Sequence, residues 1–386
     1  MDIINSIFSI FTGNILVFIV ILSVVVFIHE MGHYLVGRWC GIYATTFSIG
    51  FGKEIWGFDG KDGTRWRVAM IPLGGYVKFF GDENAASMPD GEGLEEMSDA
   101  DKARSFHHAS VLRRSLTVLA GPMANFILTI VIFTAFFTIY GKQTTDPIIS
   151  QVVAESPAEA AGLQPGDLFV SVDGIEISVF NDVKRYISSR PETEVDITIN
   201  RGGTEQVISL IPDRKITEDR FCNKIEEGIM GVVVVPDESN SRRLEFGVVG
   251  AIGQAFSESW FIVTRTFDYI GNIFVGRESA SQLSGPIGIS KMSGQVATLG
   301  VVAVIQLIAI ISLSIGLLNL MPVPILDGGH LVFYAIEAIL GRPVSPRAQE
   351  YAFRVGIMLI LSLMLFTTFN DVTSLFNHGC EVPQEQ

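Results

Sequence analysis

Cysteine is scarce and scattered. Cys40, Cys222 and Cys380 stand far apart in 386 residues, and neither a disulfide framework nor a thiolate metal site can be assembled from that spacing. Charge is sparse too: 18% of residues are charged, against roughly a quarter in soluble globular proteins. Apolar residues make up 48% of the chain and the mean hydropathy is +0.41. There is no Lys/Arg-rich block and no interleaving of basic with aromatic residues, and the net charge is −14. These features exclude nucleic acid as a partner class. The acidity falls mostly in the middle of the chain and speaks for solubility there. The N-terminal tail has no Lys or Arg, and neither has anything after Arg354. Without a basic n-region or a small-residue cleavage pattern, the first apolar run reads as a retained span, not a removed leader. No internal repeat is found.

What the sequence does have is length in its apolar runs. Four stretches approach the roughly 20 residues that a helix needs to cross a bilayer: about 15–39, 116–140, 301–320 and 352–369. Arg38 stands at the end of the first, Arg113 and Arg114 precede the second, Arg342 and Arg347 lie between the third and fourth, and Arg354 stands at the start of the fourth. Basic residues mark cytoplasmic loops, so loops 40–113 and 329–350 are expected inside. Both termini and the long 142–300 segment are expected outside. Residues 40–80 look like strands, with a hairpin signal at Lys61-Asp62-Gly63. Residues 84–105 are acidic and weakly structured, 144–236 read as a small α/β domain, and 246–275 form an amphipathic helical stretch suited to a membrane surface.

The chemistry concentrates at the end of the first span, in Phe27-Ile28-His29-Glu30-Met31-Gly32-His33. Residues four apart share a helix face, so His29 and His33 can aim both imidazoles at one ion. Zinc takes neutral imidazole nitrogen readily, and Glu30 sits about 100° round the helix, within reach of a metal-bound water. Such a metal lowers the pKa of water to about 7, and a carboxylate can then take its proton. HExxH arises by chance in soluble sequences. Here three ionisable groups in five residues follow directly on an apolar run, where each costs roughly 2.5–3.5 kcal/mol, which favours a compensating ligand.

Catalytic zinc usually has three protein ligands. The third candidate is Asp327, in Asn319-Leu320-Met321-Pro322-Val323-Pro324-Ile325-Leu326-Asp327-Gly328-Gly329-His330. Pro322 and Pro324 should break the third span, and broken helices at membrane depth are tolerated where they line an enclosed or watery cavity. The first and third spans run the same way, so the histidines and Asp327 fall at matching depth near the cytoplasmic side. His330 either supports a ligand or is a turn histidine. His107 and His108 are expected to be solvated.

HEMGH, the late LDG at 326–328 and Gly121-Pro122-Met123-Ala124-Asn125 together resemble the site-2 protease family of intramembrane metalloproteases. The strings SIGFG, GTRWRVAMIPLGGYVKFFGD and SGPIGI look like its bacterial regulator-of-sigma-E branch. The resemblance implies zinc on His29, His33 and Asp327, Glu30 as general base and Asn319 beside the substrate backbone. It also implies that Arg65–Phe80 is a membrane-associated β-hairpin or loop holding substrate as an added strand. By itself, Gly121–Asn125 reads equally well as close helix packing through small residues.

The run Ser156-Pro157-Ala158-Glu159-Ala160-Ala161-Gly162-Leu163-Gln164-Pro165-Gly166-Asp167, followed by VSVDGIEI, looks like a bacterial PDZ domain, a module that binds peptide ends by strand addition. The better-known family members carry two such domains, and this chain has room for one.

The expected fold is thus a polytopic α-helical membrane protein with four transmembrane helices, a membrane-associated β-hairpin region and one α/β PDZ domain. By segment, the first helix takes 1–39, the hairpin region and its loop 40–114, the second helix 115–141 and the PDZ domain 142–240. An amphipathic outer segment follows at 241–300, the third helix with its broken LDG end at 301–340, the fourth helix at 341–371 and a tail at 372–386. The expected activity is hydrolysis of a peptide bond in single-span membrane substrates near the cytoplasmic face of a bacterial inner membrane. By resemblance, the substrates are anti-sigma factors already cut once, or signal-peptide remnants. A catalytically inactive PDZ scaffold is the rival reading, but a degenerate enzyme usually loses Glu30 or a ligand. A transporter would need inverted repeats and a polar path through several spans, which are not found.

Overall fold

The computed structural model describes residues 2–82, 97–218, 224–235, 240–275, 280 and 283–376. Much of the acidic stretch expected to be weakly structured, and the end of the tail, lie outside these residues. The chain divides into two compact units. One holds residues 1–134, 252–268 and 283–376, and the other is built mainly from 135–251.

The larger unit begins with α1 (Asp2–Trp39), an uninterrupted apolar helix that carries HExxH in its last third. Two long strands follow, β1 (Ala44–Asp59) and β2 (Arg65–Phe79), paired antiparallel. Their pairing departs from a plain hairpin. Thr46 has both Lys78 and Arg65 as partners, and Ile49 has both Gly75 and Val68. Residues 46–49 therefore lie between the two halves of β2, which bends back through Pro72 and Gly74. The inner end packs Ala44, Phe47, Val77 and Phe79 with Tyr34 of α1. The far end leaves Ile55, Trp56, Phe58, Met70 and Ile71 exposed.

A single-turn helix, α2 (Asp99–Lys102), precedes α3 (Val111–Tyr140). His107 is not solvated as expected. Its Nε2 lies 2.9 Å from Oδ1 of the buried Asp82, whose Oδ2 accepts from the Phe79 N–H at 2.9 Å. A buried carboxylate needs such partners, and a sequence cannot show that this one comes from 25 residues upstream. His108 is exposed.

The smaller unit starts with β3 (Lys142–Thr145), β4 (Gln151–Val152) and the short helix α4 (Pro157–Ala160). Ser156 caps α4 by accepting from the Glu159 N–H, and Pro157 takes the first helical position, where its missing N–H costs nothing. Then come β5 (Leu168–Val172), β6 (Ile175–Glu176), α5 (Phe180–Ser188), β7 (Val195–Arg201) and β8 (Thr204–Leu210). They form a four-stranded sheet in the order β6-β5-β7-β8. Strand β7 alternates, with Val195, Ile197 and Ile199 inward, and these meet Val183 and Ile187 of α5 in one core. Next, β9 (Asp213–Glu218) pairs with β10 (Lys224–Ile229), and β11 (Val232–Val233) pairs with β4. The closing strand, β12 (Ser241–Leu244), pairs with β3 and so lies beyond the boundary drawn at 240.

The remaining helices are α6 (Val248–Phe274), α7 (Pro286–Thr298), α8 (Val301–Asn319), α9 (Asp327–Leu340) and α10 (Pro346–Phe376). Phe256, Trp260 and Phe267 of α6 are exposed, while Ala255 and Ser259 are buried. In the larger unit α7 packs on α1, α8 and α10. Among the described residues, four helical stretches are long and apolar enough to cross a membrane: Asn14–Trp39, Val111–Tyr140, Val301–Asn319 and Pro346–Thr373. Met358, Leu359, Leu361, Leu363, Met364 and Leu365 of α10 are all exposed, more contiguous apolar surface than a soluble monomer tolerates.

In the smaller unit, one ion pair anchors the loop before β5. Asp167, only 1% exposed, accepts from Arg201 Nε and Nη2 at 2.7 Å each and from the Gln164 N–H at 2.8 Å. Burial pushes this carboxyl up, but the guanidinium and the N–H outweigh burial and hold it below the usual carboxylate range. A lowered folded pKa means stability that is present above the unfolded value of about 3.9 and lost as pH falls through the folded one. Asp167→Asn should therefore cost about 2 kcal/mol at neutral pH, read as faster amide exchange across residues 142–244 of the intact chain. The gap between variant and wild type should close in acid, below that range.

Candidate metal centre

The site is assembled from three helices of the larger unit. His29 and His33 lie one turn apart on α1 and are each 8% exposed. Asp327 opens α9, directly after the 320–326 link that holds Pro322 and Pro324. The structure brings these three side chains together. His29 Nε2 and His33 Nε2 are 3.2 Å apart, and Asp327 Oδ2 lies 3.1 Å from the first and 3.5 Å from the second. Even so, Asp327 Oδ2 receives no hydrogen bond and is buried. Two imidazole nitrogens and one carboxylate oxygen thus face a common point.

That arrangement fits a metal. Tetrahedral zinc with ligands at about 2.0–2.2 Å spaces its ligand atoms about 3.3–3.6 Å apart, close to the three distances here. Two imidazoles and one carboxylate are also a donor set suited to zinc, and they leave a fourth position open. Among the described residues no other group of three or more His, Cys, Asp or Glu is placed to hold an ion.

Helix α3 supplies the backing. Its Thr117 carbonyl accepts from His33 Nδ1–H at 2.9 Å, which leaves His33 Nε2 unprotonated toward the centre. One turn on, Gly121 gives the ring its space: a Cβ there would lie 2.2 Å from His33 Nε2. Another turn on, Asn125 Nδ2 lies 3.3 Å from His29 Nδ1. Residues 117, 121 and 125 thus form one face of α3 that runs along the His29–His33 face of α1. The helices come close because Gly32 sits where a Cβ would meet the Ala120 carbonyl oxygen at 2.3 Å. Sequence reasoning passed over Thr117 and weighed packing through small residues equally with a functional role for Gly121–Asn125. The available signal was the i, i+4, i+8 spacing.

Glu30 is 9% exposed and lines a cavity of about 320 Å³ together with His29, His33 and Asp327. Asn319 lines it too and donates to the Ile315 carbonyl at 3.0 Å. The expected hairpin segment divides: Gly75, Tyr76, Val77 and Phe79 line the cavity, whereas Arg65 pairs with Glu54 and Asp59. His330 lines the cavity and its ring lies 5.4 Å from that of Phe353. Helix α9 is held to α3 by Arg114, whose Nη2 lies 2.6 Å from Glu337 Oε1 and whose guanidinium is 4.9 Å from the Tyr334 ring centroid.

The profile of peptidase family M50 matches residues 17–363. A candidate zinc metalloprotease of Agrobacterium fabrum is 54% identical over 364 residues, covering 94% of this chain and 97% of that protein. Metalloprotease MmpA of Caulobacter vibrioides is 38% identical over 375 residues, covering 91% and 93%. A solved PDZ domain of an SdrC-like protein from Listeria monocytogenes covers 24% of this chain at 24% identity with a TM-score of 0.18, a likeness too slight to carry the fold of that segment.

Filling the space behind His33 should be enough to disturb the centre. Gly121→Ala should weaken zinc binding at least tenfold, the lower end of what losing a ligand's support costs. Zinc competition against a chelator on the purified protein checks this, and unchanged affinity would contradict the packing described.

Proposed function

The chain belongs to peptidase family M50, the site-2 proteases, and from that premise we propose that this membrane zinc metalloprotease cuts single-span membrane proteins near the cytoplasmic face of the bilayer. His29, His33 and Asp327 hold the zinc and Glu30 is the general base. The observation that carries the reading is the convergence of three ligand atoms within 3.5 Å, with Glu30 alongside, on helices of membrane-spanning length.

Zinc bound there supplies Lewis acidity: it polarises the scissile carbonyl and acidifies a water. Glu30 takes the proton from the attacking water and passes it to the leaving amine. Asn319, on the same cavity wall, sits beside the substrate backbone. A transmembrane helix must unwind before its carbonyl can be attacked, and an extended chain can be held by strand addition. Residues 75–79 of β2 suit that task, since they border the cavity at the side of the sheet away from the first half of β2. The exposed Ile55, Trp56, Phe58, Met70 and Ile71 suit contact with lipid.

The substrates are anti-sigma factors already cut by another protease, or signal-peptide remnants. The membrane is the bacterial inner membrane, with both termini and the smaller unit periplasmic, as the basic residues at the span ends argue. The smaller unit is a PDZ domain that takes peptide ends and acts as a size filter. Its groove runs between α5, through Phe180, Lys184 and Ile187, and the stretch from Met230 to Val233, around a cavity of about 360 Å³.

Glu30→Gln tests the mechanism. On a panel of single-span substrates, with and without a zinc chelator, cleavage should fall by roughly 10²–10⁴-fold while zinc content stays at the wild-type level. Undiminished cleavage would sink the assignment.

A further inference from the structure

Asn125 is the member of the Gly121–Asn125 motif that packing alone leaves unexplained. It is fully buried, at 0% exposure, in a helix of membrane-spanning length. Its Oδ1 has no hydrogen-bond partner, while its Nδ2 faces His29 Nδ1 at 3.3 Å. A buried amide oxygen left unpaired costs about 1–3 kcal/mol. Oxygen and nitrogen of a carboxamide have nearly the same shape, so a half turn of the group exchanges them without moving any neighbour.

The two orientations have opposite consequences for the metal. With nitrogen toward the ring, His29 Nδ1 must accept, so the proton of the neutral imidazole sits on Nε2. That proton would point among His33 Nε2 and Asp327 Oδ2, where an ion is to go. With oxygen toward the ring, His29 Nδ1–H donates and Nε2 keeps its lone pair. The Thr117 carbonyl already does this for His33 at 2.9 Å, and Asn125 stands two turns further along the same face.

The turn that carries Asn125 is pinned in place. Its carbonyl accepts from Ser312 Oγ of α8 and from Thr129 Oγ1, each at 3.0 Å. The single hydroxyl proton of Thr129 is shared between that carbonyl and the Ala309 carbonyl, which lies 2.9 Å from Oγ1. Gly316 lets α8 approach so closely that a Cβ there would lie 3.2 Å from the Asn125 Cβ.

We propose that Asn125 is a positioning residue whose amide oxygen accepts from His29 Nδ1–H and thereby holds the tautomer that turns Nε2 toward zinc. The proposal rests on the reading of His29, His33 and Asp327 as ligands.

The experiment uses the full chain in detergent, stripped of metal and titrated with zinc against a competing chelator. Cobalt absorption in the visible reports the geometry of the centre. Asn125→Leu keeps the shape but removes the acceptor, and should weaken zinc binding 10–100-fold with the melting of the metal-free protein unchanged. Asn125→Asp keeps an acceptor oxygen at the same reach and should bind at least as tightly as wild type, with the wild-type cobalt spectrum. Equal affinity of Asn125→Leu and wild type, or equal weakness of the Leu and Asp variants, overturns the proposal. Ring-nitrogen NMR of the zinc-loaded wild type decides independently of how the variants fold: the His29 proton must sit on Nδ1, and a proton on Nε2 overturns the assignment. Failure of the metal centre itself reads differently, because His33→Ala and Asp327→Asn would then bind zinc as tightly as wild type.

Discussion

An imidazole can give a lone pair to a metal only if its other nitrogen carries the proton, and in an apolar bundle that proton needs an acceptor. This requirement organises the larger unit. His29 and His33 come from one helix, but the atoms facing their Nδ1 positions come from another, at Thr117 and Asn125 of α3. Helices α1 and α3 must therefore run side by side at nearly backbone contact, which Gly32 and Gly121 permit. In water a misplaced imidazole would find a solvent partner. Here it would carry the full cost of an unpaired polar group.

Asp327 is delivered to the two histidines by a break in the chain. Helix α8 ends at Asn319, residues 320–326 turn, and α9 restarts with Asp327 in its first turn. The carboxylate thus sits at the positive end of a helix dipole, which favours its charged form, and it faces two imidazoles. Far along α9, the Arg114–Glu337 pair and the Tyr334 ring fasten the helix to α3. The cavity beside the three ligands is bordered on one side by the sheet segment containing Tyr76 and Val77. His29, His33, Asp327, Glu30 and this strand segment consequently border one small volume, in a chain that belongs to peptidase family M50.

Some of this was legible in the residues. HExxH is local: a helix brings positions four apart onto one face whatever surrounds it, and the apolar run before it made a helix the only sensible reading. Asp327 was paired with it on the expectation that the first and third apolar runs point the same way, and the structure does bring the three side chains together. The strand signals at residues 40–80 were readable, but not the doubled pairing in which Thr46 meets both Lys78 and Arg65, because register between segments depends on contacts remote in sequence. His107 looked like a solvated loop histidine for the same reason, until Asp82 appeared beside it. Likewise β12 closes onto β3 from about 100 residues away, as Arg242 to Thr144 shows at a separation of 98.

The amino-acid sequence alone determined the candidate donor residues and the apolar helices that carry them, because these follow from side-chain chemistry, helical period and span length. Only the tertiary structure decided which atoms stand behind the ligands. The Thr117 carbonyl, the space at Gly121 and the Asn125 amide acquire their roles from the approach of two helices about 90 residues apart, at separations of 84 and 96. The i, i+4, i+8 spacing puts those three residues on one helix face, but which helix that face meets is fixed only where the backbones come together.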